Sequence, residues 1–192
     1  MLTASKRLIQ GCATTGLISG MIVGVFATRA DAAYYERVTA TACQVTDPDQ
    51  EHQYPVWYVG GGYLANESST TNTTFVCQIP DKTDLKQQLI SKIEIDVYDG
   101  NNDSGKKIAV RACAFNAADT TSGSCDSWAY SDNNGTNDNF TGWATLELSD
   151  EGGNDKLDSL GTSGETAYLR GSIPPVDGTV RSKLTGLYFE DD

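Results

Sequence analysis

Ile93-Glu94-Ile95-Asp96-Val97-Tyr98 is the stretch that decides how this chain folds. Aliphatic residues hold the odd positions and polar or amphipathic ones the even positions, a period of two that an extended strand converts into one apolar face. Ile93, Ile95 and Val97 are therefore expected in a core. The same alternation turns Ile108, Val110, Ala112 and Ala114 inward on the next segment. Between the two lies Asp99-Gly100-Asn101-Asn102-Asp103-Ser104-Gly105, so dense in turn formers that a hairpin is expected. Further strands are expected at 35–45, 56–64, 74–79, 126–131, 140–148, 166–173 and 182–190. Helical periodicity is confined to a single turn at 83–89, which Asp84 is placed to cap. About nine short strands with almost no helix predict an all-β chain, a single antiparallel β-sandwich of jelly-roll type over residues 33–192.

Residues 1–32 read as an address. Lys6 and Arg7 precede a small and apolar run from Leu8 to Ala27, and Ala30-Asp31-Ala32 places small residues at the −3 and −1 positions of a cleavage site. A signal peptide cleaved after Ala32 is expected, with export to the periplasm, cell surface or medium and no membrane span in the mature form. Removing it takes Lys6, Arg7, Arg29 and Asp31, so the formal charge of −12 for the whole chain becomes −14 for the remaining 160 residues. Such acidity argues against nucleic acid and against anionic membrane surfaces.

Cleavage also removes Cys12, leaving Cys43, Cys77, Cys113 and Cys125. An even count in an oxidising compartment predicts two disulfides, with three pairings open. Cys43 with Cys77 and Cys113 with Cys125 is favoured, because each closes a polar, loop-rich segment, worth roughly 3 kcal/mol in the chain-entropy model. Zinc is disfavoured, since no pair has Cys-x-x-Cys spacing and His52 has no second histidine.

The catalytic inventory is thin. His52 is the single histidine and sits in a polar segment, there is no Gly-x-Ser-x-Gly elbow, and Gly60-Gly61-Gly62 is not followed by the Gly-Lys-Ser/Thr of a phosphate loop. Glu36, Glu94, Asp96 and Glu147 fall on expected strands and keep open an extracellular enzyme acting on polysaccharide, a hydrolase or lyase. Aromatic rings make the stronger case, because sugars stack on them while amides and carboxylates take the hydroxyls. Trp57, Tyr58 and Tyr63 cluster about the triple glycine, and Trp128 and Tyr130 form a second group; these five are the candidate ligand-binding residues. Trp143 is expected in the core. Asp99, Asn101 and Asp103, and separately Asp132, Asn134 and Asp138, are oxygen-rich clusters that make calcium the one candidate cofactor, although the first lacks the glycine and glutamate positions of an EF-hand. Asn-x-Ser/Thr sequons at Asn66, Asn72, Asn102, Asn134 and Asn139 mark polar surface loops.

With these residues in view, the chain resembles a group of exported bacterial β-sandwich proteins with paired cysteines. The likeness rests on Cys43, Asn66-Glu67-Ser68, Val76-Cys77-Gln78-Ile79-Pro80, Val97-Tyr98-Asp99, Ala112-Cys113, Trp128, and Tyr168 leading to Ile173-Pro174-Pro175. It departs at Gln78, where a proline usually follows the cysteine, and at Gly171, where a further cysteine is common. The resemblance implies location and fold and brings no activity with it. The expectation is a non-enzymatic binding or cell-surface interaction module with a glycan or cell-surface component as partner; a structural matrix subunit is the other alternative to the enzyme.

Overall fold

The computed structural model describes residues 34–46, 57–58, 62–82, 85–103, 105–116, 123–132, 140–149, 157, 160 and 165–191. Every described residue belongs to one unit, Asp31–Asp192. In chain order its strands are β1 (Tyr35–Thr39), β2 (Cys43–Val45), β3 (Trp57–Tyr58), β4 (Tyr63–Ala65), β5 (Thr73–Gln78), β6 (Ile90–Asp99), β7 (Ala109–Asn116), β8 (Gly123–Cys125), β9 (Ala129–Tyr130), β10 (Gly142–Ser149), β11 (Glu165–Ile173) and β12 (Lys183–Asp191). Two short 3-10 turns stand among the described residues, at Ala40–Ala42 and Gln87–Leu89. The second follows Lys86, with no side-chain cap; Asp84 lies outside the described residues.

The strands form two antiparallel sheets. The first runs β10-β6-β12-β4-β3, with β1 also on β12; the second runs β2-β5-β11-β7-β8, with β9 also on β7. The expected alternation appears in β6, where Ile93, Ile95 and Val97 are fully buried. They meet Leu146 and Leu148 of β10 and Leu184, Leu187 and Phe189 of β12 in one core, together with Phe75, Val110, Ala112, Leu169 and Ile173 of the other sheet. Burying each large side chain there contributes about 1.5–3 kcal/mol relative to exposure, and this face-to-face burial makes the sandwich.

Nine expected segments become twelve strands because two of them break and one strand, β8, lies outside every expected segment. Segment 35–45 turns at Ala40–Ala42, so that β1 joins the first sheet and β2 the second. Segment 56–64 contains Gly62 at φ 68°, a left-handed conformation suited to glycine, between β3 and β4. Segment 126–131 shortens to β9, and the unexpected β8 lies just before it; both pair with β7.

The expected hairpin between β6 and β7 does not form. Both edges of β6 are occupied, by β10 and β12, so β7 has no edge to join and pairs with β11 in the opposite sheet. The turn formers instead build an arch between sheets. Asp99, 1% exposed, accepts from the Asn101 amide at 3.0 Å, from Ser182 Oγ at 3.1 Å and from Ser131 Oγ. Asn101 donates to the Pro175 carbonyl at 2.9 Å. These partners come from four separate parts of the chain, which is how a polar loop becomes a buried clamp.

Two features explain departures from simple alternation. A bulge between Leu184 and Gly186 of β12 inserts Thr185, so Leu184 and Leu187 both reach the core although three residues apart. Gly171 of β11 lies against Phe75: a Cβ there would overlap the Phe75 ring and come within 2.7 Å of the Ala109 carbonyl. The cysteine common in the resembling group therefore has no room. Asn66 is not on a surface loop either. It is fully buried, donating to the carbonyls of Thr71, Ile173 and Pro174 and accepting from the Ser68 amide.

Candidate functional site

The outer face of the first sheet carries an aromatic ridge. β10 and β6 are paired so that Trp143 stands beside Tyr98, and β6 and β12 so that Tyr98 stands beside Lys183. Trp143 is 65% exposed, which corrects the expectation that it is core. Its parity on β10 is that of Thr145 and Glu147, opposite to the buried Leu146 and Leu148, so the strand's own alternation turns the indole to solvent. The rings of Trp143 and Tyr98 meet edge to face, with centroids 5.2 Å apart. Lys183 Nζ continues the row, 5.4 Å from the Tyr98 centroid and 5.0 Å from that of Tyr63.

A shallow pocket lies on either side of this ridge. One, about 240 Å³, is lined by Asp96, Trp143, Ala144, Thr145 and Thr185. Asp96 is held there from two directions, by Thr145 Oγ1 at 3.0 Å and by Arg37 of β1 at 2.9 Å. Arg37 reaches it across Gly186, the register partner of both Thr39 and Asp96, where β12 has no side chain in the way. The other pocket, about 320 Å³, is lined by Tyr63, Tyr98, Thr179, Val180, Arg181 and Lys183. Further along the same face Lys92 pairs with Glu190 at 2.9 Å and Glu94 at 3.3 Å, and these carboxylates hold its ammonium well above the ordinary lysine range. Glu190 likewise raises the phenol of Tyr35, whose ring stacks on Tyr188.

The two expected aromatic clusters fall on different sheets. Tyr63 belongs to the ridge, and β3 adds Trp57 and Tyr58 to the edge of the same sheet, Tyr58 in register with Tyr63. Trp128 and Tyr130 are on the second sheet, half-buried under cations: Arg111 lies 4.3 Å from the Trp128 ring and Lys107 4.5 Å from that of Tyr130. A larger groove, about 700 Å³, also opens on the second sheet, lined by Ala42, Gln44, Val76, Cys77, Gln78, Phe115, Thr166 and Tyr168. It holds no ionisable side chain apart from the Tyr168 phenol, and its rings are less exposed than Trp143.

Asp99 and Asn101 are committed to the arch, and Asp103 pairs with Lys106 at 2.6 Å. Asp132 pairs with Lys107 at 3.2 Å, while Asn134, Asp138 and His52 lie outside the described residues. No group of three metal-ligating side chains occurs among the described residues. Of the four candidate carboxylates, Glu36 is tied to Lys82, and Glu94 and Glu147 stand opposite each other in the register of β6 and β10. Glu94 is engaged by Lys92 and Glu147 by Ser149, and neither lines the pockets above.

The sulfurs are bonded as Cys43–Cys77 and Cys113–Cys125. Both bridges lie in the second sheet and join residues directly opposite in register, each tying a three-residue edge strand, β2 or β8, to its neighbour. Such bridges are compatible with an extracellular protein. Among the described residues no helix is long and apolar enough to cross a membrane.

No family model matches the chain, and no curated protein matches its sequence. Among solved structures it is similar to a low-affinity xylan-binding module from the gut symbiont Roseburia intestinalis, at 13% identity and a TM-score of 0.46 over 83% of this chain and 96% of that one. A second xylan-binding module gives 13% and 0.47 over 83% and 97%. A carbohydrate-binding module that recognises mannan gives 11% and 0.39 over 84% and 99%.

Of the row's members only Tyr63 is among the residues expected from the sequence; Tyr98, Trp143 and Lys183 are not. Each lies on a different strand, and along the chain Lys183 is 120 residues from Tyr63, 85 from Tyr98 and 40 from Trp143. The one local signal was parity on β10: with Leu146 and Leu148 inward, Trp143 is outward.

Proposed function

We propose that this protein is a non-catalytic carbohydrate-binding module, exported after loss of residues 1–32, whose binding face is the Trp143 ridge of the first sheet. The exposure of Trp143 carries the reading. An indole left 65% in water on a folded domain forgoes apolar burial, yet it is fixed in place by Tyr98 and flanked by pockets rich in hydroxyl and charged groups. That is the arrangement a pyranose needs, with a flat apolar face for its C–H groups and hydrogen-bonding side chains around its rim. An open sheet face suits a polymer that extends past the site at both ends. Catalysis on this face is disfavoured because a glycosidase acid needs a desolvating cleft, whereas Glu94 and Glu147 sit on an open strand pair and are engaged by Lys92 and Ser149; Glu36 lines a separate pocket with Asp81 and is tied to Lys82.

The test is calorimetry and affinity electrophoresis against soluble xylan, mannan, mixed-linkage glucan and chito-oligosaccharides, with reducing-end release measured in parallel. Binding without release is expected, and Trp143→Ala should weaken it about 30-fold or more, as removal of a central aromatic anchor does. Its melting temperature should stay close to wild type, because an exposed side chain contributes little to folding. Undiminished binding by Trp143→Ala would place the site elsewhere, and reducing-end release would refute the non-catalytic reading.

A further inference from the structure

The two pockets beside the ridge differ in charge. The smaller offers a carboxylate and two hydroxyls, from Asp96, Thr145 and Thr185. The larger is lined by two cations, Arg181 and Lys183, and by no carboxylate. Arg181 is compensated by Glu67 at 2.6 Å. Lys183 is not: among the described residues no carboxylate lies within ion-pairing distance of its Nζ, whereas Lys82, Lys92, Lys106 and Lys107 each have one, and Lys86, which has none, is exposed to water. Its neighbours are the Tyr63 and Tyr98 rings, which attract an ammonium without neutralising it. In a chain of net charge −12, a half-buried lysine facing a pocket beside a stacking platform and lacking an anion is a specific feature.

Resting on the reading of this face as glycan-binding, we propose that the Tyr63–Tyr98–Lys183 pocket receives the carboxylate of a hexuronate residue in an otherwise mostly neutral polysaccharide. Lys183 Nζ would make a charge-assisted hydrogen bond to it, while the adjoining neutral sugar stacks on Trp143 and presents hydroxyls to Asp96 and Thr145. The polymer has to be sparsely charged. At physiological ionic strength screening acts over about 8 Å, so one carboxylate docked on Lys183 is tolerated, but a dense polyanion would meet the Glu94, Glu147 and Glu190 carboxylates further along the face.

The experiment uses the purified protein and one polymer in three forms: glucuronate-bearing xylan, the same xylan after carboxyl reduction, and unsubstituted xylan. Carboxyl reduction is expected to weaken binding about tenfold, and only the uronate form should lose affinity steeply as salt is raised. Lys183→Gln should bring the uronate form down to the reduced form and cost unsubstituted xylan far less; Lys183→Arg should retain the preference. Equal affinity of wild type for native and reduced polymer, or an equal loss on all three with Lys183→Gln, would overturn this inference while leaving the Trp143 reading intact. No binding to any form would overturn the inference, and if the wider polysaccharide panel also failed, the reading beneath it.

Discussion

Breaking the two disulfides one at a time should destabilise the protein unequally, and the order is set by the structure. Cys43–Cys77 closes a separation of 34 residues and Cys113–Cys125 one of 12. In the chain-entropy model these correspond to about 3.8 and about 2.8 kcal/mol at 25 °C. Location adds to both: Cys43, Cys77 and Cys113 are all fully buried, so alanine at any of them also leaves a void, while Cys125 is half-buried. For a domain of this size about 1 kcal/mol moves the melting temperature by roughly 2–4 °C. Cys43→Ala with Cys77→Ala should therefore lower it by about 8–15 °C or more, and Cys113→Ala with Cys125→Ala by about 6–11 °C, in scanning calorimetry. Reducing both removes about 6–7 kcal/mol, which is comparable to the whole stability of a domain at the lower end of the usual range of about 5–15 kcal/mol. Because each bridge holds a three-residue edge strand, hydrogen exchange should show protection lost first in β2 or β8 according to which bridge is cut. An unchanged melting temperature on reduction, or a larger drop from the Cys113–Cys125 pair, would refute this account.

Two further predictions concern the fold that supports the site. Gly171→Ala forces a methyl into the Phe75 ring and should cost about 1–3 kcal/mol in urea unfolding; a neutral effect would mean that Phe75 moves aside freely. Asp99→Ala leaves Ser131, Ser182 and the Asn101 amide without their common acceptor and should cost about 3–5 kcal/mol, with Asp99→Asn recovering part of it. Identical losses for the two variants would show that the charge and its hydrogen bonds are not what closes the arch.

Local chemistry was legible wherever one strand's own alternation decided the outcome. Ile93, Ile95 and Val97 could be assigned to the core from their spacing alone, because successive side chains of a strand must point to opposite sides whatever it pairs with. Trp143 was misassigned although the same rule applied, since the general tendency of large aromatics to be buried was given more weight than the parity of Leu146 and Leu148. The Asp99–Gly105 stretch was recognised as a turn, but a turn-forming composition does not distinguish a hairpin from an arch. That depends on whether the preceding strand has a free edge, and the strands that fill both edges of β6 arrive about 40 and 90 residues later.

The sequence by itself determined the all-β class, the placement of most strands and an even set of four cysteines beyond residue 32, all properties of composition or of neighbours along the chain. Only the tertiary structure decided which strands share a sheet, how the Thr185 bulge resets the inward face of β12, and that Tyr63, Tyr98, Trp143 and Lys183 form one row. The physical reason is register. Hydrogen bonds between strands couple residues far apart in sequence, and a shift of one residue would send every side chain on a strand to the other face.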